Sequence, residues 1–455
     1  MDWVDWAILV VRVVIVFFAL LIAVMLYIWM ERKVIADMQT RVGPVRAGPR
    51  GMLITLADGI KLFFKEGITP TAADRPVYAI APILAMFPGF LAFSVIPFGT
   101  QVTLFGREIP FQLADLNIGI LWILAMTSLS VYGVVLAGWS SGSNYPLLGA
   151  VRSSAQMISY EVGMGLALVA VLMYSGTLQM SELVAAQDTV WNVIPQFPAF
   201  MVFLIGAIAE TNRPPFDLAE AESELVAGFH TEYSGIKFAM FYLGEYVSTV
   251  TVAAVAVTLF LGGWRGYWPF DGAVAWIGPL LWFIVKVTAV IYILILVRAT
   301  LPRMRYDRLM SFGWKVLIPF GLVWVMITGV VVVLPQEYGS RGRYIAAAVI
   351  VGAAALATLI ARCSRRGRPP STRRCTREGR RCTGARRTER RASCRAVARA
   401  ASRSRRLGRR ARDRQGHGDR VQADVPLRQH RAVPEGDRAH PRAFAHRASS
   451  PQQAR

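Results

Sequence analysis

Apolar stretches of about eighteen residues or more alternate with short polar segments along the chain, near 7–30, 77–98, 118–138, 154–175, 193–210, 236–261, 275–297, 316–334 and 344–361. About 20 apolar residues in helical form cross the hydrocarbon core of a bilayer. The pattern therefore predicts an all-α polytopic membrane protein of about nine transmembrane helices, occupying residues 1–361. The first stretch is too long for a signal-peptide core and no A-x-A-like site follows it, so a retained helix is expected.

The polar segments set the orientation. Residues 31–75 hold eight Lys/Arg, 298–315 hold five, and 176–192 hold none. By the positive-inside rule the basic loops face the cytoplasm and the amino terminus faces outward. Alternation then puts the loop 211–235 on the cytoplasmic side as well.

Within 31–75, the prolines and glycines of "MQTRVGPVRAGPRG" bar a continuous helix, and an amphipathic one is expected over Gly51–Lys65. Leu53, Leu56, Ile60 and Phe64 recur at helical spacing, while Asp58, Lys61 and Lys65 fall towards polar positions. Such a helix lies in the membrane interface.

Net charge changes the picture less than it first suggests. The whole chain carries +22, but residues 362–455 hold 29 arginines against 7 acidic residues, so 1–361 are balanced at 22 and 22. Nucleic-acid binding is thus not expected of the body. All four cysteines and four of the five histidines also lie in 362–455, leaving His230 alone in the body. That excludes a zinc, haem or iron–sulfur centre there, since each needs several Cys or His ligands. The stretch 362–455 lacks Ile, Met, Lys, Asn, Tyr and Trp, as a G+C-rich gene does when read out of frame. It is expected to be a disordered Arg-rich tail, a frameshift product; the competing reading is a native basic tail for anionic lipid.

The acidic residues carry the chemistry. "AETNRPPFDLAEAESELVAGFHTEYSG" (209–235) gathers Glu210, Asp217, Glu220, Glu222, Glu224 and Glu232 around Arg213. Asp217, Glu220 and Glu224 share one face of a short helix expected after Pro214 and Pro215, where like charges repel. Crowded, partly desolvated carboxylates have raised, coupled pKa values and can pass protons near neutral pH. Glu161, Glu245 and Lys286 lie deeper, about 10, 14 and 17 Å from the cytoplasmic side at ~1.5 Å per residue. A charge at mid-membrane costs about 2.5–3.5 kcal/mol and marks an ion or proton route. The structural alternative is a Glu245–Lys286 pair that locks two helices. No Walker loop, G-x-G-x-x-G or H-E-x-x-H is present, so nucleotide and metal chemistry are not expected of this chain.

"GPVRAGPRGMLITLADGIKLFFKE" (43–66), "AETNRPPFDLAEAESELVAGFHTEYSG" (209–235) and "RATLPRMRYDRLMSFGWKVLIP" (298–319) resemble the cytoplasmic-side segments of the H-subunit family of bacterial NADH:quinone oxidoreductase, respiratory complex I. The resemblance covers about residues 1–361 and does not extend into the tail. It implies a multi-pass protein of the bacterial cell membrane that forms part of a quinone-binding chamber and couples quinone reduction to proton translocation. It implies quinone contact by Glu31, Arg32, Arg41, Arg46, Asp58, Lys61, Lys65 and Arg213. The coupling groups it implies are Glu161, Glu210, Asp217, Glu220, Glu222, Glu224 and Glu245. It also implies that NADH, FMN and iron–sulfur clusters reside in partner subunits, with none bound by this chain. Its partners would be the hydrophilic-arm iron–sulfur subunits, antiporter-like membrane subunits, quinone and membrane lipid. Two readings compete: a homologous membrane subunit of a membrane-bound hydrogenase, and a stand-alone proton or cation transporter.

Overall fold

The computed structural model describes residues 3–104, 107–217, 225–267, 276–335 and 337. The chain divides into two units, Met1–Arg366 and Gly367–Arg455. The second unit lies outside the described residues, as do the ninth expected helix (344–361) and Glu220, Glu222 and Glu224.

The described part is built from helices: α1 (Trp3–Met38), α2 (Ile54–Phe64), α3 (Arg75–Phe93), α4 (Gly119–Ser140), α5 (Asn144–Ser175), α6 (Met180–Ala186), α7 (Phe197–Glu210), α8 (Gly235–Phe260), α9 (Ile277–Thr300) and α10 (Tyr306–Pro335). Seven of these are long and apolar enough to cross a membrane, and α7, at 14 residues, is a shorter apolar helix. A two-stranded antiparallel hairpin, β1 (Val102–Leu104) with β2 (Arg107–Ile109), interrupts the α3–α4 connection. Its strands are too short for the hydrophobic pattern to flag.

α8 is the central helix, buried over most of its length, whereas α1 buries only one residue in several and presents Val10, Val14, Phe17 and Phe18 outward. Outward-facing apolar side chains suit lipid or a neighbouring membrane protein. Small residues bring the spans together. A methyl group on Gly133 of α4 would stand 2.4 Å from the Ala85 nitrogen of α3, and one on Gly138 would stand 2.3 Å from the Ala150 methyl of α5. Close approach at small residues supplies the dispersion contacts that hold helices together in a membrane.

Two expected boundaries shift. The amphipathic helix starts at Ile54 rather than Gly51, because Gly48, Arg50 and Gly51 all take positive φ. There the chain folds back so closely that a side chain on Gly51 would meet the Pro44 carbonyl at 2.4 Å. No side chain of α2 is buried, and Leu56, Ile60, Phe63 and Phe64 are exposed, in keeping with a helix that lies on an interface.

α5 begins at Asn144, about ten residues before the expected start, since only Ser141–Ser143 separate it from α4. Pro146 sits in the first turn, where its missing N–H costs nothing. Glu161 is therefore about 25 Å along its helix at ~1.5 Å per residue, close to the helix midpoint.

The segments 39–74, 141–143, 211–217, 225–234 and 301–305 gather at one end of the bundle. The Asp74 amide donates to the Ser140 carbonyl (3.0 Å), and the Tyr78 hydroxyl donates to the Glu232 carbonyl (2.8 Å). Tyr78 and Tyr233 stack at 4.1 Å, and the Met304 amide donates to the Pro215 carbonyl (3.0 Å). These bonds fix Pro215, Glu232 and Tyr233 at the ends of α3 and α10.

Candidate functional site

α7 ends at Glu210, and Asn212 then adopts a left-handed φ of 50°, a conformation asparagine tolerates. Its side chain is held by Ser153, whose hydroxyl donates to the Asn212 carbonyl oxygen at 3.2 Å. The turn swings Arg213 inward, where only 5% of its surface remains exposed. An uncompensated guanidinium could not stay there.

Its compensation comes from two helices. Arg213 Nε donates to Glu245 Oε1 of α8 at 2.8 Å. Arg213 Nη1 donates to Glu31 Oε2 of α1 at 3.1 Å and to the Tyr27 hydroxyl at 2.9 Å. The guanidinium lies over the Tyr246 ring at 4.0 Å, within cation–π range. Burial works to lower the Arg213 pKa, but Glu245 and then Tyr27 and Tyr246 outweigh it and hold it above the ordinary value. The group stays charged.

Glu31, 3% exposed, is held again from the other side by Arg298 at the end of α9 and by the Tyr246 hydroxyl at 2.9 Å. Two cations and two carboxylates thus form a balanced, buried cluster. Among the described residues Glu31 has two cationic partners and Glu245 one.

From Glu245 a polar path leads into the bundle. A cavity of about 60 Å³ is lined by Glu245, Glu210, His230, Asn212, Ser130 and Ser248, among others. A smaller one of about 20 Å³ shares Glu210, Ser130 and Ser248 and reaches Thr127 and Thr251. Glu161 of α5 is joined to α4 by the Ser128 hydroxyl, which donates to its Oε1. Glu210 is buried, and its Oε2 has no hydrogen-bond partner among the described residues. A buried polar oxygen without a donor costs about 1–3 kcal/mol, and Glu210 lines both cavities. At ~10–15 Å³ for each water, the larger cavity has room for a short chain of them.

The structure brings together Glu31, Arg213 and Glu245 and places Glu210 on the walls of both cavities, while Glu161 lies on the wall of neither. Asp217, partly buried, follows Arg213 on the loop. Arg32, Asp58 and Lys61 form a separate surface group, with Asp58 paired to Arg32 at 2.9 Å and to Lys61 at 3.2 Å. Partial burial opposes ionisation of Asp58, but Lys61 and Arg32 prevail and lower its pKa. Arg41, Arg46 and Lys65 are exposed.

The alternative Glu245–Lys286 pair does not form. Lys286 Nζ donates instead to the Leu261, Gly263 and Arg265 carbonyls at 2.7, 3.1 and 2.6 Å and lies over the Trp191 ring. These carbonyls follow the C-terminal end of α8, where a helix leaves acceptors unpaired and favours a cation. Lys286 caps α8 at the end of the bundle opposite the basic loops.

Tyr27, Tyr246 and Arg298 join the site beyond what the sequence reading singles out. A signal for Tyr27 exists: it is the one polar side chain in the apolar run 13–30 and stands at i, i+4 to Glu31, which points to one buried face. Nothing local marks Tyr246 or Arg298, which meet α1 only through the tertiary fold. Among the described residues no cluster of His, Cys, Asp or Glu is arranged to hold a metal.

Comparison with known proteins bears on this geometry. Residues 11–329 match the family described as NADH dehydrogenase. The chain is also similar to the H subunit of the NADH-quinone oxidoreductase of Frankia casuarinae, 52% identical over 360 residues that span 78% of this chain and 79% of the relative.

Proposed function

The chain belongs to the NADH dehydrogenase family, and on that premise we propose that it is the membrane-embedded H subunit of a proton-translocating NADH:quinone oxidoreductase. In this reading it forms part of the quinone chamber and couples quinone reduction to proton movement. It works in the cell membrane with its basic loops cytoplasmic. NADH, FMN and iron–sulfur clusters are held by hydrophilic-arm subunits, and antiporter-like subunits continue the membrane arm. The similarity to a quinone oxidoreductase favours quinone over the hydrogenase and stand-alone transporter readings.

The observation that carries the proposal is the position of Arg213. One buried guanidinium binds Glu31, one residue from the Arg32–Asp58–Lys61 surface group, and Glu245, on the wall of the internal cavity. Reduction of a quinone takes up two electrons and two protons, so the local charge changes as protons are drawn from nearby groups. Arg213 is shared between two carboxylates, and a change in the charge of one alters its hold on the other. A loosened Glu245 can accept a proton, and Glu210 and Glu161 extend the change along the cavities to α4 and α5. Coupling of this kind is reciprocal, so protonation inside the membrane must also feed back on the quinone side.

The residues of the surface group have a simpler part. The apolar face of α2 rests on the interface, and Arg32, Asp58 and Lys61 mark where a quinone headgroup leaves the lipid. The test is NADH-driven quinone reduction and proton movement measured together in membrane vesicles for wild type, Glu161→Gln and Glu220→Gln. Normal turnover and full pumping in both assembled variants would overturn the reading.

A further inference from the structure

His230 lies outside the Arg213 cluster and takes no part in the coupling through that guanidinium. It closes the 3₁₀ turn Gly228–His230, which a close approach of two glycines seats on α5: a methyl group on Gly149 would stand 2.8 Å from Gly228 Cα. Its ring is held edge-on by Phe229 at 5.0 Å and packs at 5.3 Å against Phe238 of α8. It lines the 60 Å³ cavity together with Glu210 and Glu245.

A packed histidine commonly ties one ring nitrogen to a carbonyl or carboxylate. Among the described residues no hydrogen bond or ion pair engages either nitrogen of His230. The titratable groups sharing its cavity are Glu210 from α7 and Glu245 and Tyr242 from α8. Lys237, next to Phe238, is turned away over the Tyr78 ring at 4.4 Å. One wall thus presents a ring able both to donate and to accept, and another presents the partnerless Glu210 Oε2.

We propose that His230 is a proton relay between the outer side of the Gly228–His230 turn and the Glu210–Glu245 cavity. The inference rests on the carboxylate route set out above. A hydronium ion on the outer side of the turn gives up an O–H bond as a new N–H bond forms at one ring nitrogen. The N–H bond at the other nitrogen breaks and its proton forms an O–H bond at the Glu210 carboxylate across the cavity, directly or through water, and no electrons are exchanged. Burial holds the imidazole down to about 4, so the ring is neutral near pH 7 and passes a proton on without storing it.

The test uses the complete complex in sealed membrane vesicles, with wild type, His230→Asn, His230→Gln and Glu210→Gln. Quinone reduction and proton movement per assembled complex are followed across pH 6–9, in H₂O and in D₂O. His230→Asn and His230→Gln are expected to assemble and to lose about tenfold in coupled turnover. That lies below the hundredfold or more usual for a lost general acid–base group, because water in the cavity offers a bypass. The loss should grow with pH, and the solvent isotope effect should rise. Assembled His230 variants with wild-type rates, pH profile and isotope effect would overturn the relay. Failure of both variants to assemble would also overturn it, since a relay is dispensable for folding. If Glu210→Gln falls while the His230 variants do not, only the relay is wrong; if Glu210→Gln is silent too, the carboxylate route itself fails.

Discussion

Replacing Arg213 by Gln removes the only described cation on Glu245 and one of two on Glu31. Breaking a buried pair by deleting one partner typically costs about 3–5 kcal/mol, much of it the penalty of the stranded charge. The asymmetry of partners makes this testable by double-mutant cycles. In Arg213→Gln with Glu245→Gln the stranded carboxylate is removed as well, so part of the loss returns. A coupling of about 2 kcal/mol is expected, within the usual 0.5–3 kcal/mol for residues in contact. At 1.36 kcal/mol for each factor of ten, that is about thirtyfold in kcat/KM. In the cycle with Glu31→Gln, Arg298 and Tyr246 remain on Glu31 in the Arg213 single variant, so the coupling should stay below about 1 kcal/mol. The assay is NADH-driven quinone reduction normalised to assembled complex. Both cycles additive within about 0.5 kcal/mol, or a larger coupling to Glu31 than to Glu245, would refute the shared-guanidinium argument.

Lys286→Met should lower the amount of assembled complex while leaving turnover per assembled molecule near wild type, because it uncaps α8 without touching the polar path. A selective loss of pumping at normal assembly would count against that assignment. For Asp58, whose folded pKa is depressed, pairing stabilises α2 fully above the ordinary carboxylate range near pH 4 and is lost as pH falls through the lowered folded value. Hydrogen exchange of residues 54–64 should therefore be faster in Asp58→Asn than in wild type at neutral pH, with the difference vanishing in acid. A difference that persists unchanged below the folded value would show that the Asp58 charge plays no part.

The spans are legible in the sequence because lipid demands long apolar helices whatever their neighbours are. The seven long helices and α7 fall on stretches that hydrophobicity alone marks out. The start of α5 is not legible, because "NYPLLGAVRSSAQ" mixes polar and apolar residues where the helix packs against α4 and the 228–230 turn. Lys286 illustrates the limit more sharply: a lone cation in an apolar run signals a buried partner, but not whether that partner is a carboxylate or the end of a neighbouring helix. Glu31 stands out through family resemblance, yet its partners Tyr246 and Arg298 lie more than two hundred residues away in sequence, beyond any local periodicity.

The most direct test of the central claim is the number of protons moved per NADH oxidised by assembled Glu210→Gln complex in sealed vesicles. The substitution keeps volume and burial and removes only the ability to take up a proton at the junction of the two cavities. The account predicts that the assembled variant moves fewer protons per NADH than wild type, with slower turnover as for other lost acid–base groups. Wild-type turnover with wild-type proton yield would contradict it.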